Sequence, residues 1–141
     1  MSKWFPIARI SVTTTLLIGA GMHLSRLILG TDWFIANVYT PLADSIFTLP
    51  IALGAIAIIA ARDEYDFRNR FEKAIVSWSG TYFTASIPLH LQTWFTQNTH
   101  YARLFPMWFS GVFLVYTSIM QVVWWNLKSK AKQREQSTQA I

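Results

Sequence analysis

Four long apolar segments, separated by short polar connectors, limit what this chain can fold into. The segments cover residues 6–29, 38–61, 71–95 and 104–127, and each is long enough for the roughly 20 apolar residues that cross a bilayer. Short connectors join helices that run antiparallel. The sequence therefore predicts an all-α integral membrane protein with a single four-span domain over residues 1–127, folded as an up-down-up-down four-helix bundle. Residues 128–141 are predicted to form a polar, basic tail.

The composition favours a membrane protein over a soluble domain. Hydrophobic residues make up 52% of the chain and charged residues 13%, which is about half of the ~25% charged share of soluble domains. A soluble protein of 141 residues would have to bury this apolar surface in one modest core, whereas a bilayer accepts it. The chain has no cysteine, which excludes disulfides, thiolate metal sites and iron–sulfur clusters.

The basic residues are distributed unevenly between the two sides of the predicted bundle. Ten of the twelve Lys and Arg residues fall on the side of the termini and the central connector, and only Arg26 and Arg103 fall on the other. This asymmetry predicts a multi-pass protein of the inner cell membrane, with both termini in the cytoplasm. The same charges are suited to contacts with anionic membrane lipids, so they give no reason to expect a nucleic-acid partner.

Ionisable side chains inside the spans are expected to share one layer. His23 and His90 lie about five to six residues below the outer ends of their spans, and Asp44 lies at a similar depth in the second span. At 1.5 Å per residue, all three lie roughly 8–10 Å inside the outer boundary. Gln92 is nearby, and Arg26 lies one turn closer to the outer surface than His23.

Small and polar residues follow one face of each of three spans, which marks the side that faces other helices in a membrane. The faces are Ser11, Thr15, Gly19, His23 and Arg26; Asp44, Thr48, Ala52 and Ala55; and Ser79, Phe83, Ser86, His90 and Thr93. A charged side chain at mid-bilayer costs about 2.5–3.5 kcal/mol on insertion scales, and pairing Asp44 with Arg26 or a histidine reduces that cost. The sequence therefore predicts an inward-facing polar pocket. Its ligand-binding residues are predicted to be His23, Arg26, Asp44, Ser86, His90 and Gln92.

The leading hypothesis for this pocket is binding without chemistry. A lipid-like or other apolar molecule would occupy the bundle, or the chain would act as an accessory subunit of a larger membrane complex. The simplest alternative is that the polar residues only hold the helices in register. No glycine-rich phosphate loop or other nucleotide motif is present.

Electron transfer through a b-type haem is the second hypothesis. His23 and His90 would be the axial iron ligands from facing helices. Gly19 and Gly21 would leave space for the macrocycle, and Arg26 would hold a propionate.

Acid–base catalysis on a lipid or sterol-like substrate is the third hypothesis. Asp44 would act as acid or base, with His23 or His90 as its partner, in an isomerase or cyclase.

Overall fold

Helices make up most of the protein. The computed structural model describes residues 3–141, and within that range the connectors add a single 3-10 turn at His100–Leu104 and one pair of two-residue strands. The helices are α1 (Trp4–Leu29), α2 (Thr31–Asn37), α3 (Pro41–Ala60), α4 (Arg70–Thr96), α5 (Met107–Asn126) and α6 (Lys130–Gln139). The strands β1 (Tyr65–Asp66) and β2 (Lys128–Ser129) pair antiparallel. The predicted all-α class is confirmed, with this short ladder as the one addition in the described range.

Polar side chains at the N-cap positions fix the starts of α3 and α4. The Thr40 hydroxyl accepts the amide proton of Ala43 at 3.2 Å, and Pro41 occupies the first turn of α3. Asn69 accepts from the Glu72 amide at 2.8 Å at the start of α4. These caps satisfy amide groups that have no partner within the helix.

The start of α1 is capped from a distant part of the chain. The Glu64 carboxylate, in the connector after α3, accepts the Phe5 amide proton at 2.7 Å. A carboxylate is favoured at this position because the helix N-terminus carries partial positive charge. The cap therefore ties the beginning of α1 to the connector between α3 and α4.

Four long helices surround the interior. α1 packs against α3 and α5, α3 packs against α4, and α4 meets α5 over a smaller contact. Gly54 allows α3 and α4 to approach closely, because a Cβ atom there would lie 2.6 Å from the Phe83 ring. The three predicted polar faces point inward: Thr15, Gly19, Asp44, Ser79 and Thr93 are all buried.

Contacts between connectors define two ends of the molecule. At the ladder end, which we define as the start of α1 with residues 61–69 and 127–129, the Arg9 guanidinium donates to the Leu127 carbonyl. At the opposite, loop end, formed by residues 30–40 and 97–106, the Thr99 hydroxyl donates to the Tyr39 carbonyl at 2.6 Å. Each connector is thereby attached to a neighbour rather than left free.

Three helices, α1, α3 and α5, are long and apolar enough to cross a membrane. Large apolar side chains on their outer faces are left uncovered, with Leu17 at 68%, Ile28 at 70% and Trp108 at 67% exposure. Such a surface is expected in lipid and unfavourable in water. α4 is long enough at 27 residues but more polar, and it is not among the three. The structure thus indicates a helical membrane protein, with three of the four predicted spans identified by length and composition.

Two predicted connectors and the tail contain more helix than expected. The segment after α1 forms α2, and the residues from 100 to 104 form the 3-10 turn, so α5 begins at Met107 rather than near residue 104. The predicted polar tail contains α6, none of whose residues is buried. Ser129 starts this helix by accepting the Lys132 amide proton at 3.3 Å.

Candidate functional site

A partly open cavity of about 160 Å³ lies between the long helices, towards the loop end. Its walls come from α1, α3, α4 and α5 and from the two connectors at that end. Most of the lining is aromatic or aliphatic, including Phe47, Phe83 and Phe113. The polar side chains in its wall include His23, Arg26, Tyr39, Ser86, His90 and Tyr101.

His90 reaches the cavity from α4 and is held from behind by Asp44. Its ring Nδ1 lies 2.5 Å from Asp44 Oδ1, and the Asp44 side chain is completely buried. The Thr93 hydroxyl, one turn along α4, donates to Asp44 Oδ2 at 2.5 Å. Asp44 lies in the first turn of α3, where the partial positive charge of the helix start also favours a carboxylate.

Two tyrosines from the connectors complete this cluster. The Tyr39 hydroxyl lies 3.1 Å from His90 Nδ1 and makes a close hydrogen bond with the Tyr101 hydroxyl. Tyr101 in turn donates towards Asp44 Oδ2 at 3.5 Å. Burial raises the pKa of Tyr101 to about 12, so its hydroxyl keeps its proton at neutral pH and remains a donor.

Arg26 also lines the cavity, and the residue is only 3% exposed. Its Nε donates to the Thr31 hydroxyl at 3.1 Å, and Nη1 donates to the Ser110 hydroxyl at 2.9 Å. The remaining donors point to main-chain carbonyls of the loop end, namely those of Ala102, Phe105 and Pro106. All five N–H groups of the guanidinium are thus engaged, and the side chain fastens the end of α1 to the start of α5.

His23 lies beside Arg26, one turn earlier on α1. Its Nδ1 is 2.9 Å from the Ser110 hydroxyl, and its ring packs on Phe113 with 4.1 Å between centroids. Nε2 of His23 and Nε2 of His90 have no hydrogen-bond partner within residues 3–141, although both rings line the cavity. The cavity therefore presents two imidazole nitrogens that a guest molecule can contact.

The structure brings together most of the residues that the sequence singled out. His23, Arg26, Ser86 and His90 line the cavity, and Asp44 lies directly behind His90. The Ser86 hydroxyl donates to the Tyr82 carbonyl at 2.7 Å. Of the two expected partners of Asp44, Arg26 or a histidine, the structure shows the histidine: Asp44 pairs with His90, and Arg26 makes no ion pair among the described residues.

Gln92 is not part of the site. It lies on α4 between His90 and Thr93, half-buried, and does not line the cavity. The reason is angular, because two residues along a helix turn the side chain by about 200° away from His90. Gly21 is likewise exposed and borders open space.

Sequence reasoning missed Tyr39, Tyr101 and Ser110 as members of the site. Both tyrosines lie in connectors, where helical periodicity carries no information about direction. The sequence contains one weak indication of Ser110: it lies seven residues before Thr117, on the same face of α5. Both residues are buried in the structure.

The arrangement of the two histidines agrees with the haem hypothesis, but the volume of the cavity does not. Both histidines use Nδ1 for an internal partner and leave Nε2 without one among the described residues, as iron ligands commonly do before the metal binds. However, pockets for drug-sized ligands are about 300–1,000 Å³, and this cavity is about 160 Å³. The space above Gly19 is taken by Phe113, whose ring lies 3.5 Å from a Cβ built there. The residues present therefore do not fit a macrocycle in this arrangement.

No group of three or more His, Asp or Glu side chains within residues 3–141 is arranged to hold a metal ion. Comparisons with known protein families, with curated proteins and with solved structures find no match to this chain.

Proposed function

We propose that the protein is a four-span, up-down-up-down membrane bundle whose internal cavity binds one small, largely apolar ligand. The spans and the cavity form a single domain over residues 1–127, and the basic tail follows it. Both termini lie in the cytoplasm, and the cavity lies in the outer half of an inner cell membrane. Surrounding lipids and other membrane subunits are the partners expected of such a chain.

Contacts at the two ends support the alternating topology. The start of α1, the connector after α3 and the end of α5 meet at the ladder end through Glu64, Arg9 and the β1–β2 pair. The end of α1 meets the start of α5 at the loop end through Arg26. Such contacts are expected between neighbouring helices that run in opposite directions. Although α4 is more polar than α1, the two helices have nearly the same length, 27 and 26 residues.

The orientation can be tested by cysteine labelling, because the chain contains no cysteine of its own. We expect a cysteine at exposed Asp63 to be blocked by a membrane-impermeant maleimide only after the cells are opened. A cysteine at exposed Asn98, in the loop end, should be blocked in intact cells. The reverse pattern would invert the orientation, and labelling of both sites in intact cells would contradict the four-span topology.

The observation that carries ligand binding is the combination of an apolar cavity with two imidazole nitrogens that lack a partner. A cavity of about 160 Å³ is comparable to engineered apolar cavities of about 150 Å³ that bind benzene. Because apolar walls provide the affinity and a few polar groups fix the orientation, this is the usual composition of a small-molecule site.

Filling the cavity tests the proposal. Ser86→Leu adds a branched side chain at the wall, and we expect it to lower the amount of co-purifying small molecule at least about tenfold, measured by native mass spectrometry. The matched control is Ser118→Leu. Ser118 is exposed on α5, and its hydroxyl makes the same kind of bond to the carbonyl four residues earlier, at 2.7 Å. Equal ligand content in both variants would contradict binding in this cavity.

Acid–base catalysis is the second candidate, favoured by the 2.5 Å contact between Asp44 and His90. A carboxylate on Nδ1 orients an imidazole so that Nε2 can accept a proton from a guest. His90→Gln, which keeps hydrogen-bonding groups at this position, should then reduce conversion of the guest to product far more than it weakens binding of the guest. Binding without any conversion in the unmodified protein would leave the simpler binding function.

A further inference from the structure

The hydrogen bonds behind the two histidines determine which ring nitrogen carries the proton. Arg26 can only donate, so its Nη1 uses the Ser110 oxygen as an acceptor. The other side-chain contact of Ser110 is His23 Nδ1, at 2.9 Å. With its oxygen already accepting from Arg26, the Ser110 hydroxyl has its one proton free to donate to Nδ1. In that arrangement the proton of neutral His23 is on Nε2.

His90 has the opposite arrangement. Asp44 receives protons from Thr93 and Tyr101, and its Oδ1 accepts from His90 Nδ1. With the ring proton on Nδ1, neutral His90 has a lone pair on Nε2. One wall of the cavity therefore offers a hydrogen-bond donor, His23 Nε2–H, and another offers an acceptor, His90 Nε2.

The charged group in the wall has no donor left for an anion. Each N–H of Arg26 already has a partner in a hydroxyl or a main-chain carbonyl. A carboxylate guest would face the lone pair of His90 and would gain no new bond from the guanidinium. The cavity consequently suits a neutral guest rather than an acid.

We infer that the guest is a neutral, largely apolar molecule about the size of benzene that carries one hydroxyl group. This hydroxyl accepts a hydrogen bond from His23 Nε2–H and donates one to His90 Nε2. A hydroxyl is the simplest group that both donates and accepts from one atom. The ring size follows from the cavity of about 160 Å³. This inference rests on the proposed ligand-binding function and adds the chemical class of the ligand.

Three probes, each built on the same fluorinated benzene ring, test the inference in the full-length protein in nanodiscs. The probes are 4-fluorophenol, fluorobenzene and 4-fluorobenzoate, and their binding is followed by fluorine NMR, with empty nanodiscs as the background. Two hydrogen bonds of ordinary net strength predict that the phenol binds about tenfold or more tightly than fluorobenzene. The benzoate should bind more weakly than the phenol.

Variants assign the effect to the histidine pair. His90→Phe should reduce the affinity for the phenol to that for fluorobenzene, while His100→Phe, at an exposed histidine of the loop end, should leave both unchanged. Nitrogen NMR of the labelled histidines in the unmodified protein should show the proton of His23 on Nε2 and that of His90 on Nδ1.

The outcomes separate the inference from the proposed function. Equal affinities for the phenol and fluorobenzene would overturn the hydroxyl inference but keep an apolar binding cavity, as would the opposite pair of tautomers. Tighter binding of the benzoate would also overturn it. Failure of every probe to bind, with Ser86→Leu indistinguishable from the unmodified protein, would overturn both.

Discussion

Asp44→Ala is expected to lower the free energy of unfolding by about 3 kcal/mol, because three side-chain donors lose one shared, buried acceptor at once. His90, Thr93 and Tyr101 all donate to this carboxylate, and its side chain is completely buried. An unsatisfied buried donor costs about 1–3 kcal/mol. Unfolding by a denaturing detergent, followed by circular dichroism in mixed micelles, measures the change.

Two further variants make the Asp44 result specific. Asp44→Asn retains one acceptor oxygen, so we expect it to lose less than half as much stability as the alanine variant. Asp32→Ala removes a carboxylate that is 86% exposed and lies 3.1 Å from Arg103, and surface pairs contribute about 0–1 kcal/mol. An Asp44→Ala variant as stable as Asp32→Ala would show that the buried cluster does not hold α3 to α4.

Arg26→Ala is expected to produce a loss of similar or larger size, about 3–4 kcal/mol. The substitution removes the donor of the Phe105 carbonyl and the donor of the Ser110 hydroxyl oxygen, whereas the Pro106 carbonyl keeps the Phe109 amide as a donor. It also releases the end of α1 from the start of α5. The same detergent titration measures the loss of stability, and faster hydrogen exchange at residues 100–106 reports the release directly.

A conservative variant separates geometry from charge at Arg26. Lysine keeps the positive charge but replaces a planar fork of five donors with a compact ammonium, so Arg26→Lys should recover only part of the stability. Arg62→Ala, at an exposed arginine that pairs only with Asp63 at 3.6 Å among the described residues, should have little effect. Full recovery by lysine would mean that charge alone matters and that the carbonyl contacts do not.

The heights of the polar side chains were predictable because a helix rises by a fixed amount per residue. Counting from the span ends placed His23, Asp44 and His90 in one layer, and the structure gathers all three around one cavity. The inward faces were predictable as well, since the small and polar residues of α1, α3 and α4 recur at helical intervals and are buried.

The partners of those side chains were not predictable from the same pattern. Arg26 and Asp44 carry opposite charges at similar depth, yet the long Arg26 side chain turns towards the carbonyls of the loop end. Those carbonyls, of Ala102, Phe105 and Pro106, lie within and just after the 3-10 turn that precedes α5. Tyr39 and Tyr101 enter the site through connector conformations that have no periodicity to read.

The sequence by itself determined that this chain is helical, that it has segments apolar enough for a membrane, and that His23, Asp44 and His90 lie on the inward faces of their helices. Tertiary structure alone decided that Asp44 binds His90, that the loop end and Ser110 take up all the donors of Arg26, and that a cavity of about 160 Å³ remains beside them. The reason is that periodicity fixes a side chain's height and direction on its own helix. Its partner and the space beside it depend on how all the helices and connectors pack together.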